Sequence, residues 1–516
     1  MPQYLSPGVY VEELAPAARP IEGVGTAVAA FVGLATSGPY NTPTLVTNWS
    51  QFTATFGEFL EGSYLAHSVY GYFGNGGSVA YIVRIGAQST DESTPVASAA
   101  LSSIERGVAA YTVSALAAEG STSDGSDLEV EVLDPTEGPS EDSFRIVVKR
   151  GGEALETFDA LTTKRGRQNA VTLVNAQSTL IRLEVGVKDG SVERKPVTGS
   201  VALSRADVIA VAPTVTAQQI VGDAGDRTGF GGLETIEDIT MVCVPDAVAA
   251  LEQGAIDLEG FKAVQLGVIA HCELMGDRMA ILDPPPGLRP QQIKDWRETG
   301  AGYDSKHATM YWPQIKVFDP LTGKNMFVPP SGHMAGIWSR SDGERGVHKA
   351  PANEVIRGAV DLEVNITRGE HDQLNPIGVN VIRTFPGRGI RVWGARTLSS
   401  DPGWRYINVR RLFNYVEDSI LANLDWVVFE PNDVLLWGSI RRDVSAFLYG
   451  LWRQGALFGA SSEQGYYVKC DDETNTSESI EAGYVVTEIG LAVTKPAEFV
   501  VFRLRSLPTG TSAVSE

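Results

Sequence analysis

The 516-residue chain lacks any apolar run long enough to cross a bilayer as a helix. The longest, Ala27–Ala35, is nine residues against the ~20 that a spanning helix needs, so direct membrane insertion is not expected. Cysteine is scarce: Cys243, Cys272 and Cys470 are odd in number and widely spaced, which excludes a disulfide framework or a zinc knuckle and reads as buried thiols. Positive charge is in deficit, with 42 Lys and Arg against 63 Asp and Glu and a net charge of −21. Such a field repels a phosphate backbone, so no nucleic-acid partner is expected. The first basic residue is Arg19 and no apolar segment follows a charged start, so the sequence predicts synthesis and folding in the cytosol without a secretory signal.

Catalytic motifs are also missing. No G-x-S-x-G spacing supplies a nucleophile elbow. The segment PLTGKN at Pro320 lacks the upstream glycine spacing of a phosphate loop and a Ser or Thr after Lys324. There is no HExxH, and His67, His271, His307, His333, His348 and His371 are scattered without metal-ligand spacing, so neither a metal nor a cofactor is expected. The one stretch dense in polar chemistry is VPPSGHMAGIWSRSDGERGVHKAPANE from Val328. A hydrolase could gather Ser331, His333, Asp342, Glu344 and His348 from it; read plainly, it is a helix start at Pro329–Ser331 followed by a glycine-rich turn and a charged surface loop.

What the chain does have is ordinary globular composition, 43% apolar and 20% charged, with 54 glycines and 27 prolines that favour turns and strands. TAVAAFVGLAT from Thr26 and SVAYIVRI from Ser78 read as buried strands, and SQFTATFG and SYLAHSVYGYF as helices capped by Ser50 and Ser63. Between Gly86 and Ala210 the texture turns to Ser, Thr, Val and Glu, and runs such as FRIVVKR and TLIRLEVGV at hairpin spacing predict a β-rich insertion. Nine acidic residues and no basic one fall between Glu119 and Asp142, a solvated acidic face. ITMVCVPD and RMAILDPP then read as parallel strands flanking a helix over Gly254–Leu274. Two amphipathic helices follow, one aligning Val409, Leu412, Phe413, Val416, Ile420 and Leu424, the other Leu436, Ile440, Val444, Phe447, Leu448 and Leu451 behind an Asp433 cap. Two lone runs remain unpaired: a strand in the arm near Val9–Leu14, and Glu498–Leu504 beyond the breaker Pro496.

The runs FPGRGIRVWGARTLSSDPGWRYINVRRLFNYVEDSI from Phe385, DWVVFEPNDVLLWGSIRRDVSAFLYGLWRQGALFGA from Asp425 and KPAEFVVFRL closely resemble the C-terminal domain of phage-type contractile tail sheath proteins. The stretch from KNMFVPPSGHMAGIW to NVIRTF resembles the preceding part of that family, and SPGVYVEE its N-terminal arm. The family includes myophage tails, R-type bacteriocins and contractile injection systems. The resemblance implies an α/β (α+β) multidomain fold: inner α/β sheath domains, a β-rich outward insertion, and extended N- and C-terminal arms. The corresponding division is an arm and linker over 1–25, core over 26–85 and 211–384, insertion over 86–210, a tube-facing C-terminal domain over 385–496 and an arm over 497–516. It further implies a structural, non-enzymatic subunit that stacks as hexameric rings around an inner tube and contracts to drive that tube through a target envelope. Expected partners are further copies of the chain in a helical homo-oligomer, the inner tube protein, and baseplate and tail-terminator or cap proteins. Assembly in the cytoplasm, within a virion tail or a tail-like particle, is implied too. Arm strands at Val9, Tyr10, Val11, Glu12 and Glu13 and at Phe499, Val500, Val501, Phe502, Arg503 and Leu504 would pair with neighbouring subunits, and Arg441, Arg442 and Arg453 would contact the tube. The competing expectations are an α/β hydrolase using Ser331, His333 and His348, and a non-contractile tube or adhesin subunit.

Overall fold

Strands that are apolar on both sides need cover on both faces, and the uninterrupted runs of this sequence form the middle of one sheet with helices above and below. The computed structural model describes residues 20–86, 97–103, 109–116, 127–136, 143–164, 166–185, 194–203 and 215–501. The chain divides into two compact units, residues 1–86 with 211–516, and residues 87–210.

The first unit opens with β1 (Val28–Gly33), β2 (Thr44–Val46), helices Trp49–Phe56 and Leu65–Asn75, and β3 (Val79–Arg84). The second unit holds β4 (Ser98–Ser102), β5 (Ala109–Ala115), β6 (Leu128–Leu133), β7 (Ser143–Arg150), β8 (Glu153–Thr162), β9 (Ile181–Val185) and β10 (Gly199–Ala202). These form two antiparallel sheets, β10-β6-β7-β8 and β4-β5-β9, around a core that includes Tyr111, Val130, Phe144 and Leu183. Residues 87–210 are therefore a β-rich unit with its own apolar centre.

The chain resumes with β11 (Met241–Cys243), β12 (Met279–Leu282), β13 (Ala308–Trp312), β14 (Ile315–Asp319), β15 (Lys324–Val328), β16 (Ala359–Leu362), β17 (Val379–Phe385), β18 (Gly389–Val392), β19 (Tyr466–Lys469) and β20 (Glu488–Leu491). The main sheet runs β18-β17-β13-β12-β11-β1-β3-β2. Its six inner strands are parallel, and an antiparallel strand closes each edge. Alternate residues sort to the two faces: Ala30, Val32, Val242 and Ala280 meet one core, and Ala29, Phe31, Met241 and Met279 the other. The C-terminal helices Ile407–Asn423 and Val434–Arg453 pack their predicted apolar stripes together with β19 and β20 into a further cluster.

Several details differ from expectation. Asn48, not Ser50, caps the first helix, accepting the Gln51 N–H at 2.8 Å, because the helix begins two residues earlier than a Ser50 cap would place it. The helix expected over Gly254–Leu274 is Leu258–Met275, with Asp257 as its cap, and a separate helix Asp246–Glu252 precedes it. The boundary expected at residue 385 falls inside the β17–β18 hairpin, so the core sheet continues to Val392. Asp433 caps its helix as predicted, accepting from the Leu435 and Leu436 N–H groups at 2.9 Å. All three cysteines are buried and free.

Candidate assembly surfaces

The polar stretch at Ser331 is neither a surface loop nor a catalytic cluster. It is a 15-residue helix, Ser331–Arg345, with Ser331, His333, Met334 and Trp338 buried. Asp342 lies three turns beyond Ser331, roughly 16 Å along the axis at 1.5 Å per residue, so the pair cannot meet over one substrate atom. Its carboxylate instead holds Arg411 of the Ile407–Asn423 helix in a two-point pair, with one arm at 2.8 Å, while the Arg411 guanidinium also donates to the Thr26 carbonyl at 2.9 Å and covers the Trp338 ring. Burial pushes His333 down to about 4, so it is a neutral packing group at physiological pH. His348 is half-buried and its carbonyl accepts from Asn408; Glu344 is exposed. What places this helix in the core is its small residues: a Cβ on Gly332 would lie 2.4 Å from the Ser68 carbonyl oxygen, and one on Gly336 2.4 Å from that of Tyr72. The Gly332–Gly336 spacing was the legible signal of close helix packing, obscured by the polar residues around it.

The strand order reverses between β1 and β11, the place where doubly wound sheets open a crevice for anionic ligands. Here the chain fills that place with its own carboxylate. Asp246, just past β11, accepts from the Leu34 N–H at 2.6 Å, the Tyr64 N–H at 2.6 Å, the Leu65 N–H at 3.1 Å and the Ser63 hydroxyl at 2.8 Å. Ser63, expected as the cap of the second helix, is not its cap: the cap position is Tyr64, and Ser63 lies one residue ahead, its hydroxyl accepting from the Leu65 N–H at 3.2 Å and donating to a carboxylate 183 positions away. Asp283, just past β12, does the same for the Ser331 helix, accepting the Ser331 N–H at 2.9 Å. The donors that this topology offers to a ligand phosphate are taken up in holding the fold.

Burial raises both carboxyls, Asp246 to about 6 and Asp283 to about 7. For Asp283 the penalty is absent below about pH 4, grows as the pH climbs towards 7 and is complete above it, because the folded-state value exceeds the unfolded one. Asp283→Asn keeps an acceptor for Ser331 and removes the charge. Denaturant titrations should show the variant gaining stability relative to wild type between pH 5 and pH 8, by on the order of 2–4 kcal/mol. A difference independent of pH would show that Asp283 is not held in its acid form.

The predicted tube contacts Arg441, Arg442 and Arg453 are all exposed on the Val434–Arg453 helix. Arg441 donates to the Cys470 carbonyl at 2.9 Å and Arg442 to Asp443 at 3.0 Å. Of the predicted arm strands, Val9–Glu13 and Phe502–Leu504 lie outside the described residues. Phe499, Val500 and Val501 are exposed and belong to no strand. β19 and β20 pair only with each other among the described strands, which leaves an open edge on either side. Just ahead of the Val434 helix, Val428 and Phe429 join Val434 and Leu435 as exposed apolar side chains, with Phe429 fully exposed at φ 67°. Sequence reading missed this turn: Val434 and Leu435 lie off the buried stripe that begins at Leu436, and exposed apolar residues ahead of a helix have no periodic signal of their own.

Residues 231–398 match the phage tail sheath protein central domain, and residues 399–506 the phage tail sheath C-terminal domain. The chain belongs to the phage tail sheath family, whose members are structural proteins. The tail sheath protein of Burkholderia phage BcepMu is 24% identical over 95% of this chain and 94% of its own length. That of Enterobacteria phage T4 is 22% identical over 72% of this chain and 57% of its own. Among solved structures, the sheath of an extracellular contractile injection system, PVC, in its contracted state aligns with a TM-score of 0.59 at 23% identity over 98% of each chain. The helical sheath of the anti-feeding prophage, also contracted, gives 0.58 at 24% identity over 97% of this chain and 99% of its own. The chain is a tail sheath protein by family, and the hydrolase expectation is set aside on both the buried Ser331 helix and the family. No helix among the described residues is long and apolar enough to cross a membrane.

Proposed function

We propose that copies of this chain, assembled in the cytoplasm, stack as hexameric rings around an inner tube, dock on a baseplate, carry a terminator at the far end, and contract to drive the tube through a target envelope. The observation that carries this reading beyond family membership is the pairing of unsatisfied edges. Among the described residues, the C-terminal sheet β19–β20 has two open edges and Phe499–Val501 is an exposed apolar segment without a strand partner. Strand addition between copies satisfies both at once. Arms that slide as rigid units on flexible linkers let the rings rotate without breaking the mesh. The stroke needs no nucleotide, since an extended array held on the tube can store conformational free energy.

The exposed arginines are the part of the surface proposed to hold the tube, through screened, reversible charge pairs suited to a contact that must release. Arg441→Glu with Arg442→Glu should abolish co-sedimentation with the inner tube protein at low salt; because buried Asp443 loses Arg442, the melting temperature of the free subunit should also fall, while circular dichroism still shows a folded chain. Wild-type sheath should detach as salt shortens the Debye length to below about 10 Å. Negative-stain images of the same samples test the larger reading: striated tubes of two distinct pitches support a contractile sheath, and one fixed pitch under every condition would identify a non-contractile tube. Unchanged tube binding by the double variant at all salt concentrations rejects the arginine contact.

A further inference from the structure

The last tie of the C-terminal sheet is Thr494, whose N–H donates to the Ala456 carbonyl and whose hydroxyl donates to that of Gly455. From Lys495 to Val501 the chain forms neither helix nor strand. Among the described residues of this stretch, Glu498 alone makes hydrogen bonds to the rest of the protein. Its carboxylate is saturated with donors: Arg396 Nε at 3.0 Å and Nη2 at 2.6 Å, Asn375 Nδ2 at 2.7 Å and the Tyr406 hydroxyl at 3.1 Å. These interactions hold the acid below its usual range in spite of partial burial, so it is charged at neutral pH. The receptor is rigid. Arg396 is buried, its guanidinium also donates to the Asn375 carbonyl at 3.1 Å, and its backbone N–H and carbonyl are both bonded to Asn380 of β17. The segment is therefore pinned to the central domain one residue before the exposed apolar run Phe499–Val501.

We propose that the Glu498–Arg396–Asn375–Tyr406 cluster is a latch that fixes where the C-terminal arm leaves its own subunit. This rests on the strand-donation reading above. A strand's register decides which side chains face the partner, and a slip of one residue exchanges the two faces. An arm that started from a loose tail would reach its neighbour's sheet in several registers. Pinned at Glu498, it starts Phe499 and Val501 on one face and Val500 on the other. The latch also routes load. A pull on the arm is taken up by Arg396 and the main sheet instead of peeling β20 from β19.

The test compares Glu498→Gln, a short Gly/Ser insertion between Thr494 and Lys495, and the two combined, all in the full-length chain. The latch isolates the arm from slack placed upstream of it. The insertion alone should therefore shift the concentration needed for sheath formation by less than about twofold, whereas Glu498→Gln should raise it at least about tenfold, or about 1.4 kcal/mol per subunit. The combination should abolish sheaths of normal length. Tyr406→Phe removes one donor and leaves the ion pair, so it should shift assembly in the same direction by less, and it replaces Glu498→Gln if that variant does not fold. Normal assembly by Glu498→Gln, or by Tyr406→Phe in its place, or an insertion as damaging alone as in combination, overturns the latch. Truncation after Glu498 separates the two levels: a truncated chain that assembles normally refutes strand donation altogether. One that fails to assemble while Glu498→Gln succeeds refutes the latch alone.

Discussion

Gly336→Leu is expected to leave almost no folded protein. The Ser331–Arg345 helix crosses the Leu65–Asn75 helix so closely that even a Cβ at Gly336 would lie 2.4 Å from the Tyr72 carbonyl oxygen and 2.9 Å from the Asn75 Cβ. Neither neighbour can retreat. The Tyr72 hydroxyl donates to the Ala27 and Val79 carbonyls, and the Asn75 amide donates to those of Gly71 and Arg357. Overpacking by a methyl or two in such a site costs about 1–3 kcal/mol, and a leucine more, against a total stability of about 5–15 kcal/mol. Gly336→Ala should therefore lower the denaturation midpoint measurably, and Gly336→Leu should appear in the insoluble fraction. Gly343, on the exposed end of the same helix, has nothing within 4 Å of its Cβ position, so Gly343→Ala should be neutral or stabilising by up to about 1 kcal/mol. Equal stability of the Gly336 and Gly343 alanine variants would contradict the close crossing.

That contrast explains what could be read in advance. The parallel strands were legible because continuous apolar runs such as Ala27–Ala35 have no other stable home than the middle of a covered sheet. The two C-terminal amphipathic helices were legible because six positions on each repeat at helical spacing. The Ser331 helix was not, since its burial comes from the smallness of Gly332 and Gly336 and from a partner hundreds of positions away, and local polarity pointed to the surface. Asp246 and Asp283 were hidden for the same reason: a carboxylate that caps a helix across the fold looks in sequence like any turn residue after a strand. Function was legible only through resemblance. Composition predicts neither a nucleic-acid partner nor membrane insertion, but no spacing of residues announces a sheath.

Removing either arm should leave a folded subunit that cannot build long sheaths. The structure sets where the cuts belong. On the N-terminal side, Ile21 is buried with the C-terminal helices, the Glu22 carbonyl accepts from Asn423 at 2.9 Å and the Val24 N–H donates to Ser419 at 3.2 Å, so deletion of residues 2–14 spares the anchor. On the C-terminal side a cut at Pro496 would strip Glu498 from the buried Arg396 and confuse loss of an arm with loss of a buried ion pair, which costs about 3–5 kcal/mol when one partner is removed. The cut should therefore follow Glu498. Each donated strand contributes a handful of backbone hydrogen bonds at about 0.5–1.5 kcal/mol apiece, roughly 2–7 kcal/mol per arm. At 1.4 kcal/mol per tenfold, its loss raises the concentration needed for assembly by about one to five orders of magnitude. Circular dichroism and thermal melts of the truncated chains should match wild type, while pelleting and negative-stain images show rings or short fragments in place of tubes. Tubes of normal length from either truncated chain would mean that the open edges of β19 and β20 are satisfied by something other than the arms.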